Sequence, residues 1–139
     1  MAEHLVVFTE GADGPHFGLD REIIRRAGGS LLCAQARNEA ERIKMAQRAE
    51  VVVAGNAPIT RDFLSALPQL RGVVRAGIGV DAVDLMAATE LGIVVANVPD
   101  FCKEEVAEHT LALIFAVRHG FAILIPTIPE VFEMEKDAV

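Results

Sequence analysis

The chain has 139 residues, 52% of them hydrophobic, and a net charge of −7. That length suits one domain with a sizeable core, and a mean hydropathy of +0.35 excludes a disordered chain. The acidic balance excludes nucleic acid and an anionic membrane surface as partners, because both call for basic residues.

Residues 5–8 are a short apolar run and read as the first buried strand. Residues 20–27 have helical composition and end at Gly28-Gly29, a C-cap pair. A second strand spans 30–34. Asn38 is a good N-cap for a helix over 39–49, whose Ala40, Ile43, Met45 and Ala46 form a rough apolar stripe. Residues 50–54, with three valines in a row, make the third strand. Thr60 caps a short helix over 61–67, which Pro68 ends. The fourth strand spans 70–75, a helix over 81–91 stops at Gly92, and the fifth strand spans 93–97. Residues 103–119 form the longest helix, closed by Gly120. Its Val106, Leu111, Leu113, Ile114, Phe115 and Val117 spread around most of its circumference, so it expects burial on most sides. In the tail, 121–139, FAILIPTIP reads as extended and 130–136 as a short acidic helix.

Short uninterrupted strands alternating with helices imply a parallel sheet covered on both faces. The expected class is α/β: a flavodoxin-like, doubly wound, five-stranded parallel sheet of order 2-1-3-4-5. The expected division is a flavodoxin-like domain over 1–100, the long helix over 101–120, and the tail over 121–139. Ligands of such a sheet bind beyond the carboxyl ends of the strands. The loops 9–18, 56–60, 76–81 and 97–103 are therefore the candidate site.

Most simple chemistries fail at these loops. The segment 11–18 holds three glycines but no G-K-[ST], so it is not a phosphate loop. A phosphoryl-receiver domain needs an aspartate after the third strand and an acidic pair after the first. Asn56 and a lone Glu10 stand there, although Lys103 follows the fifth strand, so only a degenerate receiver remains open. His4, His16, His109 and His119 are scattered, and no nucleophile–base grouping can be read from spacing. Cys33 and Cys102 lack metal-ligand spacing and suggest reduced thiols in a cytoplasmic protein. The N-terminus lacks a signal-peptide pattern, and the apolar region 111–126 is too short and interrupted to span a bilayer. No catalytic or metal-ligating residue is assigned.

The segment RAGIGVDAVD, residues 75–84, matches G-x-G-x-x-[G/A] through Gly77, Gly79 and Ala82, with Asp100 about 20 residues on. The dinucleotide fingerprint, however, belongs to the first strand–helix turn of its unit, and here the glycines follow the fourth strand. Asp81 would also put a carboxylate beside any pyrophosphate. The better reading is that the glycines let backbone amides approach a small anion such as a carboxylate.

Residues 70–116 contain, in order, R-A-G-x-G-V-D, A-A-T-x-x-G-I-x-V-x-N-V-P-D and E-V-A-E-H-T-L-A-L. This series resembles the N-terminal part of the D-isomer-specific 2-hydroxyacid dehydrogenases, a family that also includes co-repressors. Weaker similarity runs back to about residue 5. The resemblance implies a substrate-binding domain whose loop at Ile78-Gly79 presents amides to the substrate carboxylate. It places Asn56, Ala57 and Phe101 along the same pocket and Thr110 on the cofactor side. It also implies NAD(P) for the full-length family, bound by a Rossmann domain that supplies the arginine, the acid/base histidine and its acidic partner. None of those parts follows residue 120. The expectation is therefore a stand-alone substrate-binding half, natural or engineered, without activity or cofactor of its own. It would bind small 2-oxo or 2-hydroxy acids weakly and form a homodimer through residues 103–119. The alternative is a non-catalytic scaffold or binding module.

Overall fold

A computed structural model describes residues 4–11 and 13–120. The tail expectations for residues 121–139 lie outside the described residues. The chain divides into two units, Met1–Phe101 and Cys102–Val139.

The first unit contains strands β1 (His4–Phe8), β2 (Gly29–Cys33), β3 (Val51–Ala54), β4 (Gly72–Arg75) and β5 (Val94–Ala96). Every pairing is parallel and the order is β2-β1-β3-β4-β5, as expected. Helices α1 (Gly18–Arg26), α2 (Glu39–Ala46), α3 (Arg61–Ser65) and α4 (Leu85–Glu90) connect the strands. A 3-10 turn over Pro15–Phe17, with no clear signal in the sequence, leads into α1. Right-handed crossovers place α2, α3 and α4 on one face of this sheet and α1 on the other.

Alternation sorts the strand side chains. Val7, Val52 and Val73 point to the α2–α4 face and are buried with Ala46, Phe63, Leu64, Ala87 and Ala88. The opposite face carries the register series Val53, Val74 and Ala96. Here burial fails: Val74 is 36% exposed and Val94 70%.

Side-chain caps set the starts of α2, α3 and α4. Asn38 Oδ1 accepts from the Glu41 amide at 2.9 Å, and Glu41 Oε2 reaches back to the Arg37 amide at 2.9 Å. Thr60 Oγ1 accepts from the Phe63 amide at 3.1 Å. The helix expected to start at Asp81 starts later, capped by Asp84, whose Oδ1 accepts from the Ala87 amide at 2.8 Å. The intervening residues are committed elsewhere. Val83 N–H closes a turn onto the Val80 carbonyl, and Ile59 and Val83 form a parallel bridge that holds the backbone extended. At the expected C-cap pair only Gly28 takes the left-handed conformation (φ +84°). Gly29 is the first residue of β2, and a Cβ there would lie 2.9 Å from the His4 carbonyl oxygen. The pair thus ends a helix and lets two strands approach.

The second unit contains α5 (Lys103–Arg118). Cys102, at its N-cap, has φ 54°, a left-handed conformation unusual for a side-chain-bearing residue. Val106, Leu111, Leu113, Ile114, Phe115 and Val117 are all exposed. No helix among the described residues is long and apolar enough to cross a membrane.

Candidate functional site

The candidate loops meet at the carboxyl ends of β1, β3 and β4. Beyond β1, Glu10 turns its carboxylate onto the loop that leaves β3. Its Oε1 accepts from the Gly55 amide at 2.7 Å, and its Oε2 accepts from Asn56 at 2.6 Å and Ala57 at 2.8 Å. The Asn56 side chain reaches the end of the next strand instead. Its Oδ1 accepts from Arg75 Nη2 at 3.4 Å.

Arg75 is the last residue of β4. Its guanidinium lies against the glycine loop, because a Cβ on Gly77 would fall 2.6 Å from Arg75 Nη1. At Gly77 the guanidinium thus packs directly on the backbone, and a side chain there would displace it. The Arg75 Nε is buried and has no hydrogen-bond partner among the described residues. That Nε is closed to a ligand, but the half-covered guanidinium can attract an anion through its charge.

The glycine loop is pinned from both sides. Asn97 Nδ2 donates to the Ile78 carbonyl at 2.8 Å, and the Val98 amide donates to the Gly77 carbonyl at 3.0 Å. Ile59 N–H donates to the Ala82 carbonyl at 2.7 Å, tying the β3 loop to the β4 loop. The Gly77, Ile78, Val80 and Ala82 carbonyls thus each accept a bond, while the Ile78 and Gly79 amides make no hydrogen bond among the described residues. Ile78 is 46% exposed and Gly79 is exposed as well. A pinned, exposed loop with unspent N–H groups beside an arginine can hold a carboxylate.

Four of the residues expected from the sequence, Asn56, Ala57, Ile78 and Gly79, therefore belong to the adjoining loops after β3 and β4. The Ala57 amide is already spent on Glu10, which leaves Ala57 without a free donor. Phe101 follows β5 in the first unit and is 60% exposed. Thr110 lies on α5, in the second unit, where its Oγ1 donates to the Val106 carbonyl at 2.7 Å. Glu10 and Arg75 were not singled out for this site from the sequence. Their signals were slight: a charged residue just after the first strand, and one ending the fourth immediately before the glycines.

The Asp81 carboxylate lies 3.0 Å from where a Gly79 Cβ would sit, so a negative charge stands at the Gly79 end of this loop and weighs against any anion there, while Arg75 favours one at the Gly77 end. At the opposite edge of the sheet, a shallow cleft of about 630 Å³ is lined by His4, Glu50, Arg71 and Val94. His4 Nδ1 lies 3.0 Å and Arg71 Nη1 3.7 Å from the Glu50 carboxylate, so its charges are internally paired. Among the described residues no cluster of His, Cys, Asp or Glu could hold a metal ion.

Residues 17–136 match the family model for the D-isomer specific 2-hydroxyacid dehydrogenase, catalytic domain. D-3-phosphoglycerate dehydrogenase of Methanocaldococcus jannaschii is 38% identical over 89 residues, covering 63% of this chain and 17% of that protein. Glycerate dehydrogenase of Methylorubrum extorquens is 36% identical over 80 residues, covering 58% of this chain and 26% of that protein. The crystal structure of NAD+-bound 3-phosphoglycerate dehydrogenase of Entamoeba histolytica superposes with a TM-score of 0.73 at 28% identity, over 86% of this chain and 41% of that one. The chain thus spans well under half the length of the relatives it matches. Glycine loop, parallel sheet and matched segment agree: the chain belongs to the D-isomer specific 2-hydroxyacid dehydrogenases, of which it carries the catalytic-domain segment.

Proposed function

We propose that this chain is the substrate-holding part of a D-2-hydroxyacid dehydrogenase and binds a small 2-oxo or 2-hydroxy carboxylate at the Ile78 and Gly79 amides. The observation that carries this reading is the pairing of those unspent amides with the adjacent Arg75 guanidinium, on a loop whose Gly77 and Ile78 carbonyls are already engaged. Asn56 orients the guanidinium and Phe101 borders the cleft. Arg75 favours acids carrying a second anionic or strongly polar group, since one carboxylate leaves part of its fork unmatched.

Hydride transfer needs a nicotinamide held against the substrate and an acid/base within reach. The described residues offer neither. The 139-residue chain alone is therefore inactive, and NAD(P) is held by a separate part of the full-length enzyme, facing Thr110. The activity belongs to the cytoplasm. Exposed Val106, Leu111, Ile114 and Val117 on α5 support a homodimer through residues 103–119. A pure scaffold, the competing reading, would leave the Ile78 and Gly79 amides without a ligand.

Titration of the labelled chain with glyoxylate and hydroxypyruvate decides between the two. Saturable shifts at Ile78 and Gly79, weakened roughly tenfold or more by Arg75→Gln, are expected. Unmoved amides would support the scaffold. Rapid NADH oxidation by the isolated chain would overturn the claim of inactivity.

A further inference from the structure

In an open parallel sheet the crevice for a ligand opens where strand order reverses, here between β1 and β3. In this chain that crevice is filled from within. The two strands are neighbours, with Phe8 opposite Val53, so Glu10 leaves β1 level with Gly55 leaving β3. Three successive amides, those of Gly55, Asn56 and Ala57, converge on one carboxylate at 2.6–2.8 Å. These are lengths typical of charge-assisted bonds, and a run of consecutive N–H groups closing on one point is the geometry of an anion cradle. The carboxylate sits directly on the backbone: a Cβ on Gly55 would stand 2.8 Å from Glu10 Oε2.

We propose that Glu10 is a built-in ligand: its carboxylate plugs a backbone anion cradle at residues 55–57 and so restricts the pocket to one substrate carboxylate, at the Ile78–Gly79 loop. Without the plug, the β3 loop would offer a second row of donors beside the Asn56 and Arg75 side chains. An incoming acid could then bind in either of two registers, only one of which presents its C2 atom correctly. Glu10 is a positioning and specificity-determining residue in this account. The plug itself stands on the three hydrogen bonds. Its effect on register rests on the carboxylate site proposed above.

The test uses the full 139-residue chain, labelled for amide resonances, with sodium acetate as probe and sodium chloride as the ionic-strength control. In the parent protein acetate leaves the Gly55, Asn56 and Ala57 amides unmoved. In Glu10→Ala the same three amides shift saturably, with affinity at least about tenfold above that of the parent, and acetate raises the melting temperature more than chloride does. A merely structural role for Glu10 would give destabilisation without rescue by acetate, and that result overturns the proposal. So does an equal response of parent and variant at residues 55–57. If Glu10→Ala does not fold even in acetate, Glu10→Gln keeps the shape with a neutral acceptor. Its three amide protons must then move upfield, and unchanged resonances overturn the proposal. Responses at Ile78 and Gly79 are read in the same spectra. Their failure alone counts against the substrate site while leaving the plug intact.

Discussion

The two faces of the sheet are built from the same residue type and reach opposite ends. Val73 and Val74 are neighbours on β4, yet Val73 is 1% exposed and Val74 36%. On the α2–α4 face, three helices with small or aromatic inner residues close over the valines. On the other face α1 lies beside β2, and it contributes no buried residue. The β3–β5 half of that face is apolar and exposed, as Val94 shows. The contrast teaches that strand composition sets what a face wants, while the helix that follows each strand decides whether it is satisfied. The candidate site stands apart from both faces, because loops carry it and strand ends only aim it.

The largest effect is expected in the closed face. Phe63 is fully buried and sits under the Arg42 guanidinium, 5.1 Å from its ring centroid. Phe63→Ala should cost about 3–5 kcal/mol by denaturant unfolding. A cost below about 1 kcal/mol would mean that this face is looser than its packing indicates.

A sharper comparison sets Val73→Ala against Val94→Ala. The first removes buried methyls and should cost about 2 kcal/mol, while the second should stay within about 0.5 kcal/mol. Equal costs would show that the open half-face is covered in solution, and the contrast between the faces would fail.

The smallest effect concerns Cys33, on the second face but within its covered part. Burial pushes its thiol above the ordinary range, partly offset by Arg21. The neutral thiol is thus favoured by folding. Its contribution is fully present below the unfolded thiol's pKa and is lost as pH rises through the higher folded value. Stability should therefore fall as alkalinity passes the ordinary thiol range, and Cys33→Ala should remove that part of the slope. Cys33 is buried and Cys102 only half-buried, so iodoacetamide should label Cys102 first. Faster labelling of Cys33 would show that α1 does not seal its end of the sheet.

The expected site was readable only in part. Gly77, Ile78 and Gly79 stood out because glycine spacing after an apolar run has few structural uses. Asn56 was reached through resemblance, and the structure adds that it is the acceptor beside Arg75. Glu10 was weighed only as a receiver-type acid and Arg75 was not weighed at all, because a lone charge at a strand end is ordinary in sequence. What makes them notable is a partner 45 to 47 residues away for Glu10, and a glycine surface underneath for Arg75. Asp81 looked like a cap until the Ile59–Val83 bridge took its segment and passed the task to Asp84.

By itself the sequence determined the alternation of strand and helix, the order of the sheet and the place of the glycine loop. Those depend on local periodicity, on caps and on the handedness of crossovers, all of which are short-range. Only the tertiary structure decided which amides are spent and which are free, because a backbone N–H is claimed by whatever the fold brings within 3 Å. That is how the β3 loop came to be closed by Glu10 and the β4 loop left open beside Arg75.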